Sequence, residues 1–523
     1  MAYDHVVIGS GINGLVCAAL LSKRGRKALV LEREAVAGGC MRTDEITVPG
    51  FRHDVMAAIF PLFVTSPAYA KLGPDLHRHG LEFLNTPHPT GVLMPDGRAL
   101  VLTTDRDANR RAFNDAHEGD GDRLREDIAA VEREAGLLFA LLGGSLWTWP
   151  TARLLFGEAR RRGLRGLLAR AGEALKTSRD WLETRYRSDL VRALFAPWPL
   201  HAGLDPESSF GGEMGRVMAF ALEAAGAPLA KGGTGQAAAA FVSLIHEQGG
   251  VVRTGADVAE ILVENGRATG VRLADGETIA AGSVIASVTP TQLYQRLLPE
   301  SASRPQDRAQ AAAYRYGKGD MQIHYALKRP PAWRTGGLEK VMYLHLTQGL
   351  DGVSRAANEC IRGLLPAEPT ICVCQPTAVD TSRCPEGAAI LWVQLPEAPR
   401  EVKGDAAGEI DVPADGRWSE ALREAYADRI EKLLARHIDG FADTILARRA
   451  YAPPDLEALN INLVGGEPYG GACTIDQFFL FRPFPDSRNH ATAIRNLYHI
   501  GASTHPGPGL GGGSGHNLAE RLR

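Results

Sequence analysis

The pattern of apolar and polar positions predicts a strand, a turn, a helix and a second strand at the start of the chain. Residues 4–9 form a short apolar run that ends in glycine, residues 15–21 are almost wholly apolar, and residues 28–31 form a second short run. Short apolar runs closed by glycine are typical of buried strands, and the longer run is typical of a packed helix. The order is that of a βαβ unit.

The middle of the chain is predicted to be mixed. Residues 65–240 are largely helical in pattern, although Asp96-Gly97 between the apolar runs 90–94 and 99–103 indicates a hairpin. A helix over residues 237–248 then leads to a small sheet. Its predicted strands are residues 258–263, 268–273, 278–280 and 284–287, with turns at Asn265-Gly266 and Asp275-Gly276.

The last part of the chain adds a second set of elements. Residues 323–327 and 388–395 are predicted strands, and residues 419–439 have the pattern of an amphipathic helix. Residues 497–501 predict another strand, and a helix is expected from residue 516 to residue 522. A glycine-dense loop lies between these two elements.

Composition excludes several classes of protein. The chain has 523 residues, 45% hydrophobic and 23% charged, which suits two or more globular domains. A net charge of −3 gives no reason to expect a nucleic-acid partner. No apolar run reaches the length of a membrane span, so we expect a cytoplasmic protein, with contact at a membrane surface left open.

The cysteines point to neither a disulfide framework nor a metal site. There are seven, an odd number, and none forms a Cys-x-x-Cys pair or a Cys/His ligand spacing. We therefore expect reduced thiols and no metal. Cys372 and Cys374 are predicted to lie on one face of a strand as small buried side chains.

The first glycine turn carries the chemistry of a dinucleotide site. Gly9 permits a tight turn, Gly11 leaves room for a pyrophosphate, and Gly14 lets helix and strand pack closely. The helix N-terminus favours the phosphate charge. Glu32, at the end of the second strand, would accept hydrogen bonds from the adenosine ribose, and its charge would repel a 2′-phosphate. The motif alone leaves FAD and NAD open.

A second glycine pair distinguishes the two cofactors. Gly38, Gly39 and Arg42 follow Glu32 closely, where an NAD-binding fold would begin its next helix. The stretch "LEREAVAGGCMRT" resembles the GG-x-x-R motif of the amine oxidase and phytoene desaturase flavoproteins. The resemblance implies that this loop contacts FAD. Asn13, within the first motif, and Arg33, next to Glu32, are counted among the predicted FAD contacts.

The C-terminal glycine loop extends the resemblance. "LYHIGASTHPGPGLGGGSGHN" is similar to the C-terminal flavin motif of the phytoene desaturase-like family, and most resembles the branch named for a pyridine nucleotide-disulfide oxidoreductase domain. A backbone-lined loop between strand and helix suits a phosphate or flavin. The resemblance adds the following predicted FAD contacts: Val258, Gly501, Ala502, Pro506, Gly513, Ser514 and Gly515.

Candidate catalytic residues follow from the same resemblance. His53 and Asp54 lie in a segment that passes near the flavin ring in relatives, and His505 lies in the C-terminal motif. A histidine titrates in the range that is useful for proton transfer. The alternative for His53 and Asp54 is that they only cap a turn.

The predicted fold class is α/β, with a Rossmann-like FAD-binding domain of the glutathione reductase or amine oxidase type and a discontinuous α+β substrate domain. The FAD-binding parts are residues 1–75, 225–300 and 456–523. The substrate domain comprises the helical residues 76–224 and residues 301–455.

The resemblance implies an FAD-dependent oxidoreductase that desaturates a hydrophobic, carotenoid-like or isoprenoid-like substrate, with O2 or a quinone as electron acceptor. The apolar residues 137–156 beside the arginines of residues 160–170 allow three interpretations: a membrane-docking patch, a substrate tunnel or a core helix pair. An oxidase of amines or cyclic ketones is the alternative function. A flavin-free escort of lipidated GTPases is a remote one, against which the intact glycine motifs argue.

Overall fold

The computed structural model describes residues 3–522, and its elements follow the apolar pattern closely. The strands are β1 (Tyr3–Ile8), β2 (Ala28–Leu31), β3 (Thr43–Asp44), β4 (His53–Asp54), β5 (Phe83–Leu84), β6 (Thr90–Leu93), β7 (Ala99–Leu102), β8 (Leu229–Ala230), β9 (Val251–Arg253), β10 (Val258–Glu264), β11 (Arg267–Leu273), β12 (Thr278–Ser287), β13 (Gly319–Leu327), β14 (Tyr343–Leu346), β15 (Leu364–Leu365), β16 (Ile371–Cys374), β17 (Ala389–Ala398), β18 (Gly404–Asp405), β19 (Ile445–Tyr451) and β20 (Leu497–Ile500). The helices are α1 (Ile12–Lys23), α2 (Pro61–Val64), α3 (Pro67–Arg78), α4 (Arg106–Ala116), α5 (Asp120–Gly143), α6 (Trp149–Ala174), α7 (Ser178–Arg185), α8 (Asp189–Phe195), α9 (Gly211–Ala225), α10 (Thr234–Glu247), α11 (Pro305–Ala312), α12 (Gly349–Ile361), α13 (Glu420–Ala435), α14 (Phe441–Thr444), α15 (Pro453–Leu459) and α16 (Gly513–Arg521).

The first sheet has seven strands and contains the predicted βαβ unit. Its order is β10-β11-β12-β1-β2-β9, and β20 also pairs with β12. β1 lies parallel between β2 and β12, so that Val7 faces Val30 on one side and Ile285 on the other. These central strands are apolar on both faces. Helices α1, α10 and α16 cover one face, and a second apolar cluster that includes Ile261, Tyr294 and Phe484 covers the other. The arrangement is the predicted α/β, Rossmann-like one.

Strand β12 differs from the prediction. We expected separate strands at residues 278–280 and 284–287, but one continuous strand covers both. Its first half pairs antiparallel with β11, and its second half pairs parallel with β1. Gly282 does not interrupt the strand. It is a point of close approach, since a Cβ there would lie 2.9 Å from the carbonyl oxygen of Asp4.

The second sheet draws its strands from two distant parts of the sequence. Its order is β19-β13-β17-β16-β14-β6-β7. The hairpin β6–β7 comes from residues 90–102, and the other five strands come from residue 319 onward. One face packs on α13 through an apolar core that includes Ile323 and Val393. The other face presents Tyr343, Cys372 and Trp392 to the helices α7 and α8. All seven cysteines are free in the structure.

The C-terminus returns to the N-terminal unit. β20 pairs parallel with β12, and α16 packs against α1 so closely that a Cβ on Gly515 would lie 2.0 Å from the carbonyl oxygen of Asn13. α16 begins at Gly513, three residues before the predicted start, because the last glycines of the loop already have helical backbone. Within residues 3–522, no helix combines the length and apolarity that a bilayer crossing requires.

Candidate cofactor and active site

A long cleft lies between the two sheets, at the carboxyl ends of β1, β2 and β12. It contains about 1600 Å³ of space free of protein atoms, part of it open to solvent. Ligands bind at this edge of open α/β sheets because loops and helix N-termini meet there. Predicted cofactor residues that line the cleft are Gly9, Gly11, Asn13, Glu32, Arg33, Gly38, Gly39, Arg42, Val258, Gly501 and Ala502.

Gly9 and Gly14 shape the backbone of the first glycine turn, and Gly11 leaves space beside it for a ligand. Gly9 has a φ of +92°, and its N–H donates to the carbonyl of Leu31 at 2.8 Å. A Cβ on Gly14 would lie 2.2 Å from the carbonyl oxygen of Gly9, so only glycine lets α1 begin there. A Cβ on Gly11 would meet no protein atom within 4 Å. The space over Gly11 therefore belongs to the cleft.

Glu32 is buried and fixes the loops on either side of it. One carboxylate oxygen accepts hydrogen bonds from the Ser10 N–H at 2.9 Å and the Ser10 hydroxyl at 2.6 Å. The other accepts the N–H of Glu34 at 3.0 Å. A carboxylate offers about four acceptor positions, so Glu32 keeps capacity for a ribose hydroxyl. Arg33 pairs with Glu34 at the half-exposed mouth of the cleft.

The second glycine pair lies against the first turn. The Gly38 N–H donates to the Ser10 hydroxyl at 2.8 Å, and a Cβ on Gly39 would lie 3.0 Å from the Cα of Gly11. Arg42 lines the cleft, and its guanidinium bonds to Asp44 at 2.5 Å. The two glycine loops thus form one continuous wall, although they are separated by more than twenty residues.

The C-terminal motif divides into residues that line the cleft and residues that support it. Gly501 and Ala502 line it, whereas Pro506, Gly513, Ser514 and Gly515 do not. The Ser514 hydroxyl accepts the N–H of Gly501 at 2.9 Å and donates to the Asn13 side-chain oxygen at 2.8 Å. Pro506 packs on the helix start, where a Cβ on Gly513 would lie 2.9 Å from it.

The predicted catalytic residue Asp54 lies outside the cleft lining and has a structural environment. It is buried, and one oxygen accepts the Thr43 hydroxyl and the N–H of Thr234 at the start of α10, both at 2.7 Å. Its other oxygen pairs with the fully buried Arg383 at 2.5 Å, and Arg383 also pairs with Asp380 at 3.0 Å. This network joins β4 and the start of α10 to the loop between β16 and β17, which favours a structural role for Asp54.

The two predicted catalytic histidines also lie outside the cleft lining. His53 is buried and bonds through Nε2 to the Thr47 hydroxyl at 2.7 Å. Burial lowers the pKa of His53 to about 4, and the charge of Arg383 lowers it too. His505 bonds through Nε2 to the carbonyl of Gly144 at 2.9 Å, and burial lowers its pKa to about 4. Both imidazoles are neutral at pH 7, and their catalytic roles stay predictions.

Two cleft residues on β13 were missed by the sequence analysis. Asp320 and Gln322 are buried and line the cleft from the second sheet, and His324 continues the same face of the strand. The alternation of Asp320, Gln322 and His324 with the apolar Met321 and Ile323 was a readable period-two signal. A carboxylate inside a fully buried strand is unusual and favours function.

The structure also brings together three side chains that sequence spacing does not connect. Ligand-type atoms of His201, His345 and Cys372 lie within 4.8 Å of one another. The two Nε2 atoms are 2.9 Å apart, which is a hydrogen bond between neutral imidazoles. The histidines therefore pair through Nε2, while Nδ1 of His345 is buried without a hydrogen-bond partner among residues 3–522. The expectation that the protein holds no metal stays a prediction.

The residues present fit FAD. In the described part of the chain, no side chain caps the N-terminus of α1, whose first N–H groups suit phosphate oxygens. The space beside Gly11 would allow the close approach of a pyrophosphate, and the carboxylate of Glu32 lies where the adenosine ribose is expected. These features occur along one cleft that both ends of the chain build.

Comparisons with known proteins agree with this geometry. The sequence profile described as "Flavin containing amine oxidoreductase" matches residues 12–403. A mouse protein named "Pyridine nucleotide-disulfide oxidoreductase domain-containing protein 2" is 27% identical over 99% of this chain and 93% of its own length. The neurosporene-forming phytoene desaturase of Cereibacter sphaeroides is 25% identical over 98% of this chain and 93% of its own length.

Further comparisons extend to a limonene dehydrogenase and to solved structures. One chain of the limonene dehydrogenase of Castellaniella defragrans is 25% identical over 99% of this chain and 94% of its own length. Putrescine oxidase bound to putrescine has a TM-score of 0.62 at 15% identity, covering 100% of this chain and 99% of its own. At that identity the likeness shows the fold alone, and it confirms the predicted amine oxidase type.

Proposed function

The chain belongs to the flavin-containing amine oxidoreductase family and is an FAD-dependent oxidoreductase, and we propose that it dehydrogenates a hydrophobic, isoprenoid-like substrate. The suspected resemblance to phytoene desaturase-like flavoproteins is confirmed. Bound FAD supplies the two-electron oxidation, and the protein supplies position and polarity. The glycine loops would hold the pyrophosphate, and Glu32 and Val258 would hold the adenosine.

The observation that carries the substrate proposal is a group of exposed apolar side chains on α6, whose helical backbone is interrupted at Gly163; we call this group the apolar surface. Trp149, Phe156, Leu164 and Leu168 have exposed fractions of 82%, 69%, 72% and 63%. Large side chains left this exposed mark a surface for an apolar ligand, a membrane or a protein. The names of several relatives, including limonene dehydrogenase and the carotenoid desaturases, refer to isoprenoid substrates, which supports the same class here.

The apolar surface is connected to the cofactor loop. The segment between α5 and α6 contacts the C-terminal motif, because the Gly144 carbonyl bonds to His505 and the Gly143 carbonyl accepts the Asn517 amide at 2.9 Å. The exposed Leu480 and Phe481 belong to the neighbouring loop. We propose that this surface touches a lipid bilayer peripherally and receives the substrate from it, without crossing the membrane.

A second candidate function is the oxidation of a small amine or cyclic ketone. The observation that favours it is the polar row on the second sheet, where Gln322 and Gln394 face each other across β13 and β17 beside Asp320. A wholly apolar substrate offers these groups no hydrogen bonds, whereas an amine or a carbonyl does. The polar row therefore keeps this alternative open, and O2 and a quinone both stay candidate electron acceptors.

Anaerobic bleaching of the flavin absorbance tests the two candidates directly. The purified holoenzyme is mixed with carotenoids and monoterpenes in detergent or vesicles, and separately with cyclic ketones and primary amines. We expect bleaching with at least one isoprenoid and with none of the small polar compounds. Bleaching by an amine or a ketone alone would contradict the substrate proposal and favour the alternative. Reoxidation by O2 or by a soluble quinone then identifies the acceptor.

A further inference from the structure

Asp320 is a buried carboxyl group at the edge of the cofactor cleft. It is the second residue of β13, its exposed fraction is 0%, and it lines the cleft with Gln322 two residues later. The Gln322 amide donates to the carbonyl of Met56 at 3.2 Å, which ties this part of the strand to the opposite wall. Asp320 thus lies where the second sheet meets the cofactor-binding domain.

The two oxygens of Asp320 have different surroundings. Oδ2 accepts the side-chain amides of Gln322 at 3.0 Å and Gln394 at 3.4 Å. Within residues 3–522, Oδ1 is buried without a hydrogen-bond partner. A buried acceptor without a partner costs free energy, so this arrangement persists more readily where a ligand completes it. The two glutamines fix the carboxyl group and leave one oxygen for that ligand.

Two other buried carboxyl groups, those of Glu467 and Glu397, use both oxygens in hydrogen bonds within the protein. Glu467 accepts the N–H of Tyr469 at 3.1 Å with one oxygen and the N–H of Gly471 at 2.8 Å with the other. Glu397 accepts the N–H and the hydroxyl of Thr370, each at 3.0 Å, with separate oxygens. Asp320 differs from both because it combines a cleft position with an oxygen to which no group of residues 3–522 hydrogen-bonds.

The reacting end of the cofactor is expected on the side of Asp320. Glu32 and Val258 would hold the adenosine, and Gly11 leaves space for the pyrophosphate. The flavin half of an extended dinucleotide would then occupy the rest of the cleft, whose lining includes Met56, Asp320 and Gln322. The substrate must reach the same region to react.

We propose that Asp320 is a catalytic residue whose Oδ1 accepts the proton that the substrate loses during dehydrogenation. The inference rests on the proposed function in one respect, that the enzyme oxidises a C–H bond of its substrate. It does not depend on the class of that substrate. Bound FAD would supply the oxidation by accepting one substrate hydrogen together with both electrons of that C–H bond. The neighbouring C–H or N–H bond gives its proton to Oδ1, its electron pair becomes the new double bond, and the carboxylate becomes a carboxylic acid.

The electrostatic surroundings suit a proton acceptor. Burial raises the pKa of Asp320 to about 7, while the amides of Gln322 and Gln394 act in the opposite direction. The ionisable groups coupled to it are Tyr469 and Cys372, whose pKa values its charge raises. The arginines of the cleft are paired elsewhere: Arg33 with Glu34, Arg42 with Asp44 and Arg296 with Asp257. A base with a pKa near the working pH is an efficient acid–base catalyst.

The test uses Asp320→Asn and Asp320→Glu in the full-length holoenzyme, with Glu397→Gln as the matched control at a buried carboxyl away from the cleft. FAD content is measured by absorbance, and the rate of anaerobic bleaching is measured across pH with the substrate that the wild type accepts. We expect Asp320→Asn to retain FAD but to react at least about 100-fold more slowly. The wild-type rate should rise through about pH 7, Asp320→Asn should lose this ionisation, and Asp320→Glu should restore part of the rate.

A second readout needs no substrate. Infrared difference spectra of the oxidised holoenzyme across pH follow the C=O stretch of protonated carboxyl groups. Burial also raises the pKa of Glu467 to about 7 and that of Glu397 to about 8, so these groups contribute bands of their own. We therefore expect Asp320→Asn to lose one component of the absorption that titrates near pH 7. Glu397→Gln should keep that component and lose one that titrates near pH 8. If no compound bleaches the wild-type flavin, the proposed function fails while the component lost in Asp320→Asn still reports on Asp320. Identical spectra for wild type and Asp320→Asn, or bleaching with an unchanged rate and pH profile, would overturn the inference.

Discussion

The Ser514 hydroxyl donates a 2.8 Å hydrogen bond to the side-chain oxygen of Asn13, a residue 501 positions earlier in the chain. The same hydroxyl accepts the N–H of Gly501, which lines the cofactor cleft. Three separate segments therefore meet at one side chain: the start of α1, the end of β20 and the start of α16. The bond links the two ends of the chain at the position where FAD is expected to lie.

We predict that Ser514→Ala weakens FAD binding without unfolding the protein. The substitution leaves the Gly501 N–H and the Asn13 oxygen without their shared partner, which costs about 1–3 kcal/mol and lets the loop move. Equilibrium dialysis of FAD should show roughly tenfold weaker binding. Ser354→Ala is the control, because the Ser354 hydroxyl bonds to Glu207 at an exposed position outside the cleft lining. Equal FAD affinity for both variants would refute the coupling.

Gly11→Ala should exclude FAD by steric overlap alone. Gly11 has an ordinary φ of −60°, and its added methyl group would meet no protein atom within 4 Å, so the fold should tolerate alanine. The methyl group would occupy the space expected for the pyrophosphate. We expect a colourless protein with a wild-type melting temperature. Gly136→Ala, also free of contacts but within α5, should keep its flavin. A yellow Gly11→Ala protein would place the phosphates elsewhere.

The cofactor-binding half of the fold was predictable because its signals are local. Strand, turn and helix follow one another within residues 3–31, and each glycine there has a steric reason that is visible in the sequence pattern. The final helix and the hairpin at Asp96-Gly97 were predicted for the same reason. The continuous strand β12 was not, because Gly282 breaks the apolar pattern although its neighbours continue the strand.

The candidate active site was less predictable because its parts come from different sheets. Asp54 pairs with Arg383, which lies 329 positions later in the chain, and the sequence around either residue does not predict this ion pair. Asp320 lies in a strand whose outline was predicted, but its place in the cleft depends on how the second sheet packs on the first. Sequence order could suggest residues near the flavin. It could not show which of them face the cleft.

Asp54→Asn should lower stability more than activity per folded molecule. The substitution removes one of the two carboxylates that neutralise the fully buried Arg383, and breaking a buried pair costs about 3–5 kcal/mol. Urea unfolding should show a loss of this size. Asp439→Asn, which breaks an exposed pair with Arg334, should cost less than about 1 kcal/mol. A stable Asp54→Asn enzyme without activity would restore the catalytic interpretation.

The apolar surface of α6 should bind lipid. Phe156→Gln, Leu164→Gln and Leu168→Gln together remove three large exposed apolar side chains. Co-sedimentation with phosphatidylcholine–phosphatidylglycerol vesicles should weaken at least about tenfold, since each buried apolar side chain contributes on the order of 1 kcal/mol or more. Ile361→Gln, at a residue that is 63% exposed on α12, is the control. If the triple variant and the control bind vesicles equally, the membrane proposal is wrong.

The raised pKa of Asp320 also predicts how stability depends on pH. The carboxyl group has a pKa of about 7 when folded and an ordinary value of 3.8 when unfolded, so between these values the folded state binds more protons. Stability should therefore fall as pH rises through this window, by at most about 4 kcal/mol for this group. Asp320→Asn removes the charge. The melting temperature of the variant minus that of the wild type should therefore be larger at pH 8 than at pH 5. Glu397→Gln should show the same trend, because burial raises the pKa of Glu397 to about 8. A difference between Asp320→Asn and wild type that is the same at both pH values would mean that Asp320 titrates normally, and the proton-acceptor role would lose its electrostatic basis.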